Sequence, residues 1–270
     1  MRPQIVFTTT QVGNRLGGLS SPPFIIFNIL NNTAMPNWCN NYITISGSKE
    51  KMKPLYDYFE SSQSEHEKFV KKRAVIHKEN PEAWKTIDEI CPAPKENLVM
   101  NTLVPHDDEY RAIEASGKYL LSPQVEFYGT KWDFDFTEAN VSEIGKECIT
   151  FGPQTAWSPP SAFCQKLAIK YGVEVMVEFD ETGIAFVGKE VYYPDGRLDQ
   201  EFYDNYLEGM YVLQNETFWE NEVESHMTYS KEEGKSFEEI LQDMFTFITD
   251  EKEIKELKEV YDNIEVDVEE

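Results

Sequence analysis

The chain has 270 residues, 40% of them hydrophobic and 13% aromatic, enough to bury a substantial folded core. Its formal net charge of −24 repels phosphates and argues against ordinary nucleic-acid binding, which relies on basic patches. Cys39, Cys91, Cys148 and Cys164 are far apart, the four histidines show no ligand spacing, and no apolar run approaches the ~18–20 residues that span a bilayer. A zinc knuckle, a disulfide framework and a membrane helix are therefore not expected. Reduced thiols in a cytoplasmic protein without metal or cofactor are.

The charge is graded along the chain: +2 over residues 1–34, −2 over 35–125, −7 over 126–200 and −17 over 201–270. Residues 1–34 read as an N-terminal extension, with Met35 as the natural beginning. The alternative there is a short added strand at Gln4–Thr8 or Phe24–Leu30. The apolar run at Phe24–Leu30 lacks the charged leader and small-residue cleavage site of a signal peptide.

From Tyr42 to Gly47 the chain alternates and is β-branched, which predicts a strand, and Gly47–Ser48 supply a turn and an N-cap. Met52, Leu55, Tyr56 and Phe59 then recur at helical spacing. Residues 61–125 form a less regular, mainly helical insertion, in which Lys71, Lys72 and Arg73 read as a solvated helix face. Two strands follow, around Ala139–Glu143 and Cys148–Thr155, with a turn at Gly145. A helix after Trp157 has Ser158 as expected N-cap, Pro159 and Pro160 in its first turn and Gly172 as its stop. Val173, Val175, Val177 and Phe179 alternate into a hairpin that turns at Glu181–Gly183 and returns through Phe186. Beyond Gly196 aromatics mix with acids, and two amphipathic helices close the chain, the first opened by a Ser236/Glu239 capping box.

These elements predict an α+β fold: a ferredoxin-like β-α-β-β-α-β antiparallel sheet with helices on one face, one strand left over. Its domain is drawn over 35–196, followed by an acidic, mainly helical region over 197–270. The motifs MPNWCNNYITISG at 35–47, P-x-P at 92–94, GTKWD at 129–133, TAWSPP at 155–160 and the closing GIAFVG hairpin occur in the order found in YubB-like proteins of phages and plasmids. Over residues 35–192 the chain resembles that family. The resemblance implies a ferredoxin-like domain and a mobile-element origin, and brings no established biochemical activity.

The candidate ligand-binding residues fall in three motifs. Trp38, Cys39, Asn40 and Asn41 precede the first strand. They read either as a small polar site, in which Cys39 would need a base to become a thiolate, or as an aromatic cover with amides bonded to turning backbone. Lys131, Trp132 and Asp133 read as a ligand plate or as an anchored salt-bridged loop. Thr155, Trp157 and Ser158, at a strand-to-helix junction, read as an anion site or as helix capping. If the strands pair as drawn, Trp38, Trp132 and Trp157 gather near one end of the sheet. No carboxylate pair, phosphate loop or catalytic triad stands out, so catalysis is not expected.

Three functions follow. The first is protein–protein interaction through the acidic surface, with a basic or nucleic-acid-binding protein as partner and DNA mimicry or anti-defence as its specific form. The second is small-molecule or nucleotide binding at the tryptophans and Lys131, with an enzyme as its further form, and the third an accessory structural role in a phage.

Overall fold

The computed structural model describes residues 37–80, 82, 86–92, 97–119, 121–183 and 185–264. The extension before Met35, the start at Met35 and the added strand lie outside the described residues. Strand β1 (Trp38–Ser46) buries Cys39, Asn41, Ile43 and Ile45 and exposes Trp38, Asn40 and Tyr42, the two-residue period of a strand with one wet face. Helix α1 (Lys49–Glu79) runs unbroken through the two helical patterns read separately. Its buried residues are Met52, Leu55, Phe59 and Ser62, so beyond Ser62 none of its described residues is buried.

Four short helices fill the insertion: α2 (Ile87–Ile90), α3 (Val99–Leu103), α4 (Asp108–Ser116) and α5 (Pro123–Tyr128). A 3-10 turn at Phe136–Glu138, closed by an Asp135/Glu138 capping box, leads into β2 (Val141–Ile144), β3 (Cys148–Phe151) and β4 (Gln154–Ala156). The single strand expected over Cys148–Thr155 is thus two, broken at Gly152–Pro153, where a proline has no N–H for the ladder. Helix α6 (Ser161–Tyr171) ends at Gly172, whose φ of 67° suits glycine. Its N-cap position is Pro160, not Ser158, and no side chain caps it; the Ser158 hydroxyl is drawn away, donating to the Gly129 carbonyl at 2.7 Å. Strands β5 (Glu174–Glu181), β6 (Phe186–Tyr192) and β7 (Leu198–Tyr203) complete a seven-stranded sheet of order β2-β3-β1-β5-β6-β7, with β4 also paired to β1.

All of these pairings are antiparallel. The order β5-β1-β3-β2 within the sheet is the ferredoxin-like arrangement expected, and β6 and β7 extend it beyond β5. On one face the core joins Ile43, Ile45, Val175 and Val177 to Met52, Leu55 and Phe59 of α1 and Phe163 and Leu167 of α6. The C-terminal helices pack on the other. Helices α7 (Tyr206–Leu213), α8 (Asn215–Thr217), α9 (Val223–Glu232), α10 (Phe237–Asp243) and α11 (Glu251–Asn263), with a π-helical turn at Phe218–Glu222, enclose a second core. Phe218, Val223, Met227, Ile240, Phe245 and Leu257 meet Val187 of β6 there. The acidic region therefore enters the sheet through β7 and then lies against it, and the described residues form one compact unit. The Ser236/Glu239 capping box opens α10 as its sequence predicts.

Glu190 is a carboxylate buried against the first core. It lies on β6, is 6% exposed and accepts hydrogen bonds from Ser161 Oγ at 2.7 Å and Tyr192 OH at 2.6 Å. Burial pushes its pKa above the ordinary 4.5, and the two donated bonds pull it part of the way back. A raised folded pKa means that the folded state holds the proton longer, so Glu190 costs stability as pH rises from about 4.5 through that pKa. Glu190→Gln keeps an acceptor for both hydroxyls and removes the charge. Thermal unfolding across pH 4–8 is expected to show equal stability at the acid end and a more stable variant at neutral pH; parallel curves would contradict the assignment.

Candidate functional site

Three segments meet at the start of β1, and hydrogen bonds fix each. The chain leaves α5 through Gly129 in a left-handed turn at φ 90°, where a Cβ would lie 3.0 Å from the Ser161 nitrogen. Ser158 Oγ ties that turn to the α6 junction, and Thr130 Oγ1 donates to the Ala156 carbonyl at 3.2 Å. Thr155 Oγ1 donates to the Ser158 carbonyl at 2.6 Å, and the Trp157 N–H donates to the Asn37 carbonyl at 2.9 Å. Trp157 itself has φ 65°, a region that bulky residues rarely occupy and that only surrounding contacts can hold.

This frame brings the three tryptophans together, as the strand pairing drawn from the sequence implies. Trp38 and Trp132 have ring centroids 6.1 Å apart, and Trp132 and Trp157 6.4 Å apart. The Lys131 ammonium lies 4.8 Å from the Trp132 ring and 4.9 Å from that of Trp157, so one cation is shared by two indoles. Trp38 and Trp132 remain 45% and 43% exposed. The result is an indole array on the surface with a resident cation.

The remaining candidate residues are engaged elsewhere. Cys39 points into the core; burial first, then the nearby Asp180, Glu181 and Glu190 carboxylates, push its thiol well above the usual range, which suppresses the nucleophilic thiolate. Asn41 is buried beside it, its amide donating to the Cys39 and Pro153 carbonyls and to Thr155 Oγ1. Asp133 accepts from the N–H groups of Met100, Asn101 and Phe134 and so caps α3 from a distant loop. Burial raises its pKa and those three bonds hold the rise down. Thr155 and Ser158 serve the junction described above.

Asn40 lies on the outer face and leads to residues that sequence reading missed. Its amide donates to Asp180 Oδ2 at 2.8 Å and its carbonyl accepts from Gln154 Nε2 at 2.9 Å. Asp180 borders a cleft of about 620 Å³ between the outer face of β1 and β5 and the end of α7 and α8, with Tyr42, Glu178, Gln214, Glu216 and Thr217 along it. Burial raises the Asp180 pKa, the Asn40 bond lowers it, and Glu222 and Glu181 raise it further. The polar alternation of Glu178 and Asp180 signals a wet face. Their apposition to Asn40 depends on the β1–β5 register, which only the folded sheet defines.

Among the described residues no cluster of His, Cys, Asp and Glu could hold a metal ion, and no helix is long and apolar enough to cross a membrane. No curated protein matches the chain. Of solved structures, the crystal structure of a protein api92 from Yersinia pseudotuberculosis aligns over 63% of this chain and 98% of its own, at 10% identity and a TM-score of 0.34, a likeness too low to carry an argument. A family described as the ferredoxin-like domain in Api92-like protein matches residues 127–220, from the end of α5 through β7 and α7. Both that family and the YubB-like resemblance of the motifs meet at the level of a ferredoxin-like domain. Over residues 127–220, then, this chain is similar to the ferredoxin-like domain of Api92-like proteins.

Proposed function

We propose that this protein acts by binding another protein, a basic or nucleic-acid-binding one, through the acidic surface of its C-terminal helices. The observation that carries the reading is a line of carboxylates on one exposed face of α9 and the π-helical turn before it. Glu220, Glu224 and Glu232 border a shallow depression of about 530 Å³, with Tyr229, 62% exposed, among them. At a rise of ~1.5 Å per residue these carboxylates recur at roughly 6 and 12 Å along the axis, a fixed array of negative charge beside an aromatic anchor. The lysines of α11 are spent on their own helix, Lys252 with Glu256, Lys255 with Glu259 and Lys258 with Asp262. A mobile-element origin, supported by the YubB-like motifs, fits the DNA-mimic form of this activity, in which carboxylates stand where a partner expects phosphates.

Removing residues 197–270 would strip β7 from the sheet, so the test uses the full chain. Affinity capture with the wild type is expected to recover a basic partner that duplex DNA displaces and that elutes as salt rises. Glu220→Gln, Glu224→Gln and Glu232→Gln combined are expected to lose most of it. A partner held equally by the triple variant, or indifferent to DNA and salt, would remove the basis of this function.

A further inference from the structure

We infer that the outer face of β1 from Trp38 to Tyr42, with Asp180 beside it, is a docking groove for an arginine-bearing extended segment of a basic partner protein. This deepens the protein-binding reading and rests on it for the kind of partner, while using a surface separate from the Glu220–Glu232 face.

Strand alternation sets Trp38, Asn40 and Tyr42 on one side of β1, and all three are exposed. At ~3.3 Å per residue they span roughly 13 Å, the length of an extended tetrapeptide. At one end stands the indole array, which already holds a cation: the Lys131 ammonium sits within 5 Å of two rings, while Trp38, at the array's edge, is 45% exposed. An indole face takes a guanidinium as it takes that ammonium, and arginine stacks on it better than lysine.

One residue pair further along, Asp180 lies directly across from Asn40 in the β1–β5 register, and the hydrogen bond holding it comes from a neutral amide. The charges of Glu222 and Glu181 act on Asp180 in the same sense as its burial, so a cation there relieves repulsion. Glu178 in the same cleft is matched by Lys189 at 2.9 Å, whereas Glu216 on the opposite wall adds to the negative field. A guanidinium stacked on Trp38 with its N–H edge toward Asp180 meets both features, and the cleft of about 620 Å³ accommodates the chain that carries it. A nucleotide would bring phosphate into the same field, on a protein of charge −24.

The probe is a fluorescein-labelled peptide alternating arginine and glycine, titrated by anisotropy into the full chain at low salt, beside its lysine counterpart and beside AMP as competitor. The arginine peptide is expected to bind more tightly than the lysine one and to ignore AMP. Trp38→Ala is expected to weaken it about fivefold or more, Trp38→Phe less, and Asp180→Asn about threefold. Trp38 is a surface residue, and matching melting temperatures check that its variants are folded. Equal binding by wild type, Trp38→Ala and Asp180→Asn would overturn the groove, as would displacement of the peptide by AMP or no peptide binding at all. Each of these leaves the capture experiment on the Glu220–Glu232 face to judge the protein-binding reading by itself, and loss of capture with the groove intact would separate the two the other way.

Discussion

Asn41→Leu is expected to destabilise the protein by about 2 kcal/mol, because the leucine fills the space and gives up the hydrogen bonds that an inward-facing amide donates at a strand break. The site is the break between β3 and β4. Pro153 lacks a ladder N–H, and β1 passes the irregularity by turning one side chain inward among the core residues Cys39 and Ile43. That side chain is 6% exposed, and its amide donates to the Cys39 carbonyl at 3.0 Å, the Pro153 carbonyl at 3.0 Å and Thr155 Oγ1 at 2.9 Å. Pro153 keeps a second donor, the Asn41 N–H at 3.1 Å, and the Cys39 carbonyl stays in the β1–β4 ladder opposite Thr155, so Thr155 Oγ1 is the acceptor that loses its donor. At roughly 1–3 kcal/mol for a buried group left unmatched, that loss, with the weaker bonding left to the two carbonyls, outweighs the transfer gain of a leucine side chain. For a domain of this size the melting temperature falls by roughly 4–8 °C. Asn41→Asp is expected to do worse at neutral pH, since a carboxylate would face three acceptors. A loss under about 0.5 kcal/mol for leucine would mean that the amide is wet and the strand break held by something else.

The period of the apolar residues made most of this fold readable. The β1, β5 and β6 alternations, the Met52–Phe59 stripe and the Gly172 stop each follow from local rules, and together they admit the β-α-β-β-α-β order with little freedom left. Strand β7 was illegible for a local reason: Leu198–Tyr203 is an edge strand of mixed, largely exposed residues, so it carries no apolar alternation to read. The unbroken length of α1 was equally hidden, because past Ser62 the helix buries nothing and its pattern fades. At the candidate site the tryptophans announced themselves by standing in motifs beside strand ends. Their companions did not. That Ser158 would bond to Gly129 rather than cap α6, that Asp133 would cap α3 across 33 residues, and that Asp180 would lie opposite Asn40 are all consequences of register and loop closure, which a single sequence does not encode locally.

Gly209→Val tests how the acidic helices are fixed to the sheet, and a loss of about 3 kcal/mol is expected. Two effects compete at this position. Glycine inside α7 costs ~1 kcal/mol against alanine in helix propensity, so on local grounds any side chain should stabilise. Packing opposes this: a Cβ on Gly209 would lie 2.7 Å from Val187 Cβ and 2.9 Å from Tyr203 Cβ, contacts with backbone-anchored carbon that no rotamer change relieves. Val187 is the sheet residue in the second core, so raising α7 off it opens the cluster of Phe218, Val223 and Met227 as well. The packing term is the larger, and even Gly209→Ala is expected to be destabilising, by about 1 kcal/mol after the propensity gain. Thermal unfolding gives the magnitude, and limited proteolysis gives the place, with cleavage rising at Asp204–Asn205 between β7 and α7. Stabilisation by alanine would show that the helix sits further from the sheet than these distances allow. The same substitution bears on the groove. Its second wall, Leu213 to Thr217, continues directly from α7, so a displaced α7 carries Glu216 away from Asp180 and should weaken the arginine peptide in a variant whose β1 face is untouched.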